Sequence, residues 1–136
     1  MSAKSRGINA ERELIHLFWK TTDWTACRIA GSGSIKYPCP DIIAQSKNRH
    51  LAIECKLCTN DHQYFDMLEI ADLQSYADRS GCEAWVGVRF SHEKWRFFHA
   101  KDIPTTEKMY AISREHALQK GLLFEQLLIS DAGMKT

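Results

Sequence analysis

The alternation of apolar and polar residues divides the chain into a short series of elements. From 9 to 20, Leu14, Ile15 and Phe18 lie within about one hundred degrees of one another at about 3.6 residues per turn, which predicts a helix capped by Asn9. Glu11 falls on that same apolar face. A short strand is expected at 24–29, followed by the loop Gly31-Ser32-Gly33-Ser34 and the stiff Tyr37-Pro38-Cys39-Pro40. Two apolar runs, 41–46 and 51–56, flank the polar Lys47-Asn48-Arg49-His50 and read as an antiparallel hairpin. A helix at about 66–80, with Ile70, Leu73, Tyr76 and Ala77 inward and Gly81 as its stop, leads to a strand at 83–90. That crossover makes β-α-β and hence a mixed sheet. A strand at 95–99 pairs back, an apolar segment follows at 109–112, a helix is expected near 122–128, and the end frays from Ser130.

With 136 residues, 44% of them hydrophobic, the chain forms one α/β domain spanning 1–136, and no repeat or low-complexity linker divides it. No long apolar run and no charged head followed by an apolar segment occurs, so neither a membrane span nor a secretion signal is expected, and the protein is placed in the cytoplasm. Cys27, Cys39, Cys55, Cys58 and Cys82 are odd in number and irregular in spacing, which fits free thiols. Cys55 and Cys58 lack the two further ligands a zinc site needs and read as core thiols.

The net charge of +1 conceals an asymmetry. Residues 1–60 hold nine Lys/Arg against five Asp/Glu, a balance of +4, while residues 61–136 hold nine against twelve, a balance of −3. The N-terminal half, with Lys4, Arg6 and Lys36 among its cations, is expected to face phosphates.

The hairpin carries the chemistry. With its turn centred between Asn48 and Arg49, Ile43 lies opposite Glu54 and Asp41 opposite Lys56, all four on one face. Asp41 and Glu54 are then diagonal neighbours about 7–8 Å apart at the backbone, a spacing that lets two carboxylates share one hard cation. Leu51, Ile53 and Cys55 take the opposite face and belong to the core.

Pro40-Asp41 followed by Glu54-Cys55-Lys56 resembles the PD-(D/E)XK nuclease signature. Further blocks narrow the likeness: Asn9-Ala10-Glu11-Arg12-Glu13-Leu14, Arg28-Ile29-Ala30-Gly31-Ser32-Gly33-Ser34, Pro40-Asp41-Ile42-Ile43-Ala44, Ile53-Glu54-Cys55-Lys56 and Trp95-Arg96-Phe97-Phe98, in that order, resemble the archaeal Holliday-junction resolvases. The resemblance implies a restriction-endonuclease-like mixed sheet flanked by helices. It also implies a homodimer that cuts four-way DNA junctions on two opposed strands. It places an acidic metal cluster at Glu11, Asp41 and Glu54, functional basic residues at Arg12 and Arg28, and a phosphate or catalytic contact at Ser32, with Ser34 left open.

Phosphodiester hydrolysis needs an activated water, neutralisation of charge at phosphorus and help for the departing oxygen. On this reading Asp41 and Glu54 ligate Mg²⁺, for which Mn²⁺ substitutes, the Cys55 backbone carbonyl adds an oxygen, and Glu11 acts through a water. Lys56 either orients and helps deprotonate the attacking water, its pKa lowered by the neighbouring cation, or stabilises negative charge. Arg12 and Arg28 grip phosphates. Two alternatives remain: a nuclease of the same fold acting on duplex DNA, and a non-enzymatic junction-binding relative. The intact set Glu11, Asp41, Glu54 and Lys56 argues against the second.

Overall fold

The computed structural model describes residues 1–34 and 36–130. Five strands, β1 (Thr25–Arg28), β2 (Ile42–Gln45), β3 (His50–Cys58), β5 (Glu83–Phe90) and β6 (Arg96–His99), form one sheet in the order β1-β2-β3-β5-β6. Every neighbouring pair is antiparallel except β3 and β5, which run parallel because helix α2 (Met67–Ser80) carries the chain back across the sheet. A separate ribbon pairs β4 (His62–Asp66) with β7 (Met109–Ser113). Helix α1 (Ala3–Trp19) precedes the sheet, and the short helices α3 (Arg114–Lys120) and α4 (Phe124–Ile129) follow it.

The pleat of β3 separates two cores. Leu51, Ile53 and Cys55 point toward α1, where Ala10, Leu14 and Phe18 form its buried stripe and Trp85, Phe97 and Leu127 complete the layer. Ala52 and Cys58 point the other way, toward Ile70, Leu73 and Ala77 of α2 and Phe65 of the ribbon. Helix α2 ends as expected at Gly81, which at φ 77° turns the chain left-handed, and it starts on a reciprocal capping box of Asp66 and Glu69. Cys55 and Cys58 are buried, and all five cysteines are free thiols.

Several expectations need correction. Helix α1 starts at Ala3 under a Ser2 cap, so Asn9 lies inside it; it runs through Gly7 because the buried stripe supplies more stability than one glycine removes. The hairpin register also moves: Ile43 faces Ala52, not Glu54, since Ser46 and Arg49 close the turn around Lys47 and Asn48. The ribbon strand β4 and helix α3 are additions to the predicted elements. The segment expected to fray lies, from 131 on, outside the described residues.

Candidate active site

A β-bulge sets the position of Asp41. In the register Ile53 pairs with Ile42, yet the Asp41 N–H also donates to the Ile53 carbonyl at 3.1 Å, so two successive residues face one. The Asp41 side chain shares one cleft with those of Glu54 and Lys56. There its Oδ2 accepts the Cys55 N–H at 2.9 Å, standing in for the main-chain acceptor that β2 no longer supplies. Its Oδ1 accepts the Ser32 hydroxyl, which the 3₁₀ turn Ser32–Ser34 brings close. Because N–H and C=O of one strand residue point to the same side, the Cys55 carbonyl also points to the side of Asp41.

Glu54 and Lys56 project toward α2, as the alternation of β3 requires. Burial, then hydrogen bonding to and repulsion by Asp41, push the Glu54 carboxyl up to about 9 against the pull of Lys56. Burial alone would lower the Lys56 pKa, but a hydrogen bond to Glu69 and the charges of Glu69, Glu54 and Asp41 outweigh it and raise it. Without a cation, then, Lys56 is held charged. Its ammonium stands 3.0 Å from Glu69 Oε2. Glu69 is absent from the residues the sequence points to, because its reach to Lys56 depends on how α2 packs. Asp41, Glu54, Lys56, Glu69 and Ser32 line one cleft of 320 Å³ with Cys39 and Asp72.

The site lies where the pairing of β2 ends and β3 runs on, and Glu11 of the α1 layer feels the charge of Asp41 there. Glu11 is driven up to about 7 by burial and by the charge of Asp41, against Arg28. Arg28, at the end of β1, approaches Glu11 at 3.5 Å, but its buried Nε makes no hydrogen bond. Arg12 is exposed on α1 and makes no ion pair among the described residues. At about 100° per residue Lys4 shares the Glu11 side of α1, whereas Arg6 points to the far side, where it donates to the Met1 carbonyl at 2.9 Å. Lys36 is exposed between the Ser32 turn and Pro38. The structure thus gathers Ser32, Asp41, Glu54, Lys56, Glu11 and Arg28, and leaves Arg6 apart.

Among the described residues no three His, Cys, Asp or Glu side chains converge into a complete ligand set. Asp41 and Glu54 share one cleft instead, and the Cys55 carbonyl points to the same side of β3 as the N–H that Asp41 accepts. That donor set fits a hard cation that keeps several of its waters, as Mg²⁺ does, and not a structural zinc. Glu54 and Glu11 are both shifted upward, by burial first and by the charge of Asp41 after it, against the pull of Lys56 and Arg28.

Comparison with known proteins bears on the whole chain. A family model described as archaeal Holliday junction resolvase (Hjc) matches residues 2–134. The crossover junction endodeoxyribonuclease Hjc of Archaeoglobus fulgidus is 38% identical over 109 residues, 80% of this chain and 79% of that protein. The enzyme of the same name from Sulfurisphaera tokodaii is 32% identical over 130 residues, covering 93% and 88%. A solved structure of Archaeoglobus fulgidus Hjc, titled a Holliday junction resolvase, superposes with a TM-score of 0.80 at 33% identity, over 89% of this chain and 98% of that one. With both the fold and the sequence matched along nearly its full length, the chain belongs to the archaeal Holliday junction resolvase (Hjc) family.

Proposed function

We propose that this chain is a crossover-junction endonuclease that resolves four-way DNA junctions with Mg²⁺, acting as a C₂ homodimer. The observation that carries this reading is the bulged Asp41, fixed by Ser32 and the Cys55 N–H beside Glu54 at the mouth of a cleft that also holds Lys56. Asp41, Glu54 and the Cys55 carbonyl would hold the cation, and Glu11 would support it from the α1 layer. When bound, a divalent ion neutralises charge on the phosphate and makes a nearby water more acidic.

The protein's own groups supply the rest. Ser32 and the Cys55 N–H keep the Asp41 carboxylate from rotating, so it faces the cleft before any ligand arrives. Lys56, charged, orients a water or a phosphate oxygen by hydrogen bonding and stabilises negative charge building on phosphorus. Arg28, ion-paired to Glu11, and the exposed Arg12 would take phosphates near the cut, with Lys4 and Lys36 adding positive field. No helix among the described residues is long and apolar enough to cross a membrane.

The symmetry of the substrate makes the reading testable, because a four-way junction offers two equivalent scissile phosphates and a C₂ dimer two equivalent clefts. An immobile junction labelled on each strand in turn should show paired, opposed cuts with Mg²⁺, while a linear duplex of the same sequence should stay intact. Mixed dimers of wild type and Asp41→Asn should nick one strand without resolving the junction in the same encounter. Cutting of the linear duplex at the junction's rate, or two opposed cuts from mixed dimers, would overturn it.

A further inference from the structure

Glu69 uses its two oxygens for different tasks. Oε1 accepts the Asp66 N–H at 3.4 Å and completes the capping box, while Oε2 meets the Lys56 ammonium at 3.0 Å. The first contact ties the carboxylate to the first turn of α2, where the helix dipole favours negative charge. Below, the Phe65 ring lies 5.9 Å from the Lys56 Nζ and limits where the side chain can go. Glu54, two residues earlier on the same face of β3, and Asp41 share the cleft and also act on the lysine's charge, and Asp72 lines the same cleft. A flexible ammonium beside several carboxylates pairs with whichever holds it best, and a lysine seated on Glu54 would neutralise a group that a cation needs.

We propose that Glu69 is a positioning residue that draws Lys56 away from Glu54 and Asp41, leaving those two carboxylates open to a divalent cation while keeping the ammonium in the cleft. The inference rests on the reading of Asp41 and Glu54 as the metal-holding pair. It explains why the cleft carries a further acid that the cation does not require, and why that acid is anchored to a helix start instead of a mobile loop.

The test is Mn²⁺ binding to the full-length protein without DNA, measured by titration calorimetry on wild type, Glu69→Ala, Glu69→Gln, Lys56→Ala, Lys56→Ala/Glu69→Ala and Asp41→Asn. Glu69→Ala should weaken binding on the order of tenfold, the size of a close charge coupling. The double variant should bind like Lys56→Ala, since no lysine remains to compete. Glu69→Gln, which keeps the cap and one acceptor for the ammonium, should fall between wild type and Glu69→Ala. Raising Mn²⁺ should also restore junction cutting by Glu69→Ala, which a simple loss of the helix cap would not allow. Unchanged affinity in Glu69→Ala overturns the proposal, as does a double variant as weak as Glu69→Ala, which would make Glu69 itself a group that faces the cation. If Glu69→Ala does not melt cooperatively, Glu69→Gln in the presence and absence of Lys56 provides the same comparison. Asp41→Asn separates the two readings: wild-type affinity there would remove the metal site itself, whereas lost affinity there with unchanged affinity in Glu69→Ala would remove only the role of Glu69.

Discussion

The two ends of strand β3 treat charge in opposite ways. Beside its first residues, Arg49 makes a bidentate pair with Glu83 at 2.8 and 2.9 Å, and its remaining donors reach the Leu127 and Leu128 carbonyls. The Trp85 indole N–H also donates to Glu83, and the Trp24 ring lies under the guanidinium. Burial would raise the Glu83 pKa, but the Arg49 and Trp85 hydrogen bonds, helped by charge, bring it below the ordinary value. Toward the far end Asp41, Glu54 and Glu11 crowd together, and two of the three are pushed far up. The same sheet can therefore satisfy a buried carboxylate completely. Where it leaves several unbalanced, the imbalance is a property of the site and not a limit of the fold.

The largest contrast should appear in cleavage. Asp41→Asn or Glu54→Gln is expected to reduce junction cutting by on the order of a thousandfold or more while junction binding in gel-shift assays persists, because a ligand charge is lost but the basic surface is not. Full activity in either would dissolve the distinction between the two ends. At the other end, Arg49→Ala strands Glu83 and frees the carbonyls of α4, and should cost about 3–5 kcal/mol in guanidinium unfolding. A cost below about 1 kcal/mol would show that water replaces the pair easily.

The ends should also respond to pH with opposite sign. Glu54 keeps its proton up to about 9 where an unexceptional glutamate has released it near 4.5, so the native metal-free state binds more protons between those values and loses stability as pH rises through them. Glu11 adds the same trend up to about 7. Glu83 contributes stability above the usual glutamate range that is lost as pH falls through its lowered value. Metal-free Glu54→Gln should accordingly be more stable than wild type at pH 8 by on the order of 1–3 kcal/mol, and equal to it at pH 4. A gap that does not depend on pH would contradict the shift. The smallest effect belongs to Asp66→Ala, which removes one side of the α2 cap and should cost about 1 kcal/mol in the same unfolding assay.

The hairpin, its core face and helix α2 were legible because each rests on a local signal: alternation in β3, the inward stripe of α2 and its glycine stop. The register was not, since the polar run Lys47-Asn48-Arg49-His50 permits more than one turn, and the choice is made by Ser46 and by the distant partners of Arg49. The Asp41 bulge has no signature in sequence. Strand β4 buries only Phe65 and pairs with a strand more than forty residues away, so its pattern reads as loop. Trp85, Trp95 and Phe97 are buried in the α1-side core and Phe98 in the α2-side core.

Asp41 has a donor on each of its oxygens, a hydroxyl on one and a main-chain amide on the other. A carboxylate anchored in this way can neither swing aside nor spread to wrap a larger ion. Rigidity of that kind discriminates among cations, because the tight octahedral shell of Mg²⁺ tolerates a fixed ligand, whereas Ca²⁺ gains from flexible ligands that add oxygens around it. If Asp41 holds the cation as proposed, its two fixed hydrogen bonds would turn a detail of chain geometry before β2 into a preference for small ions.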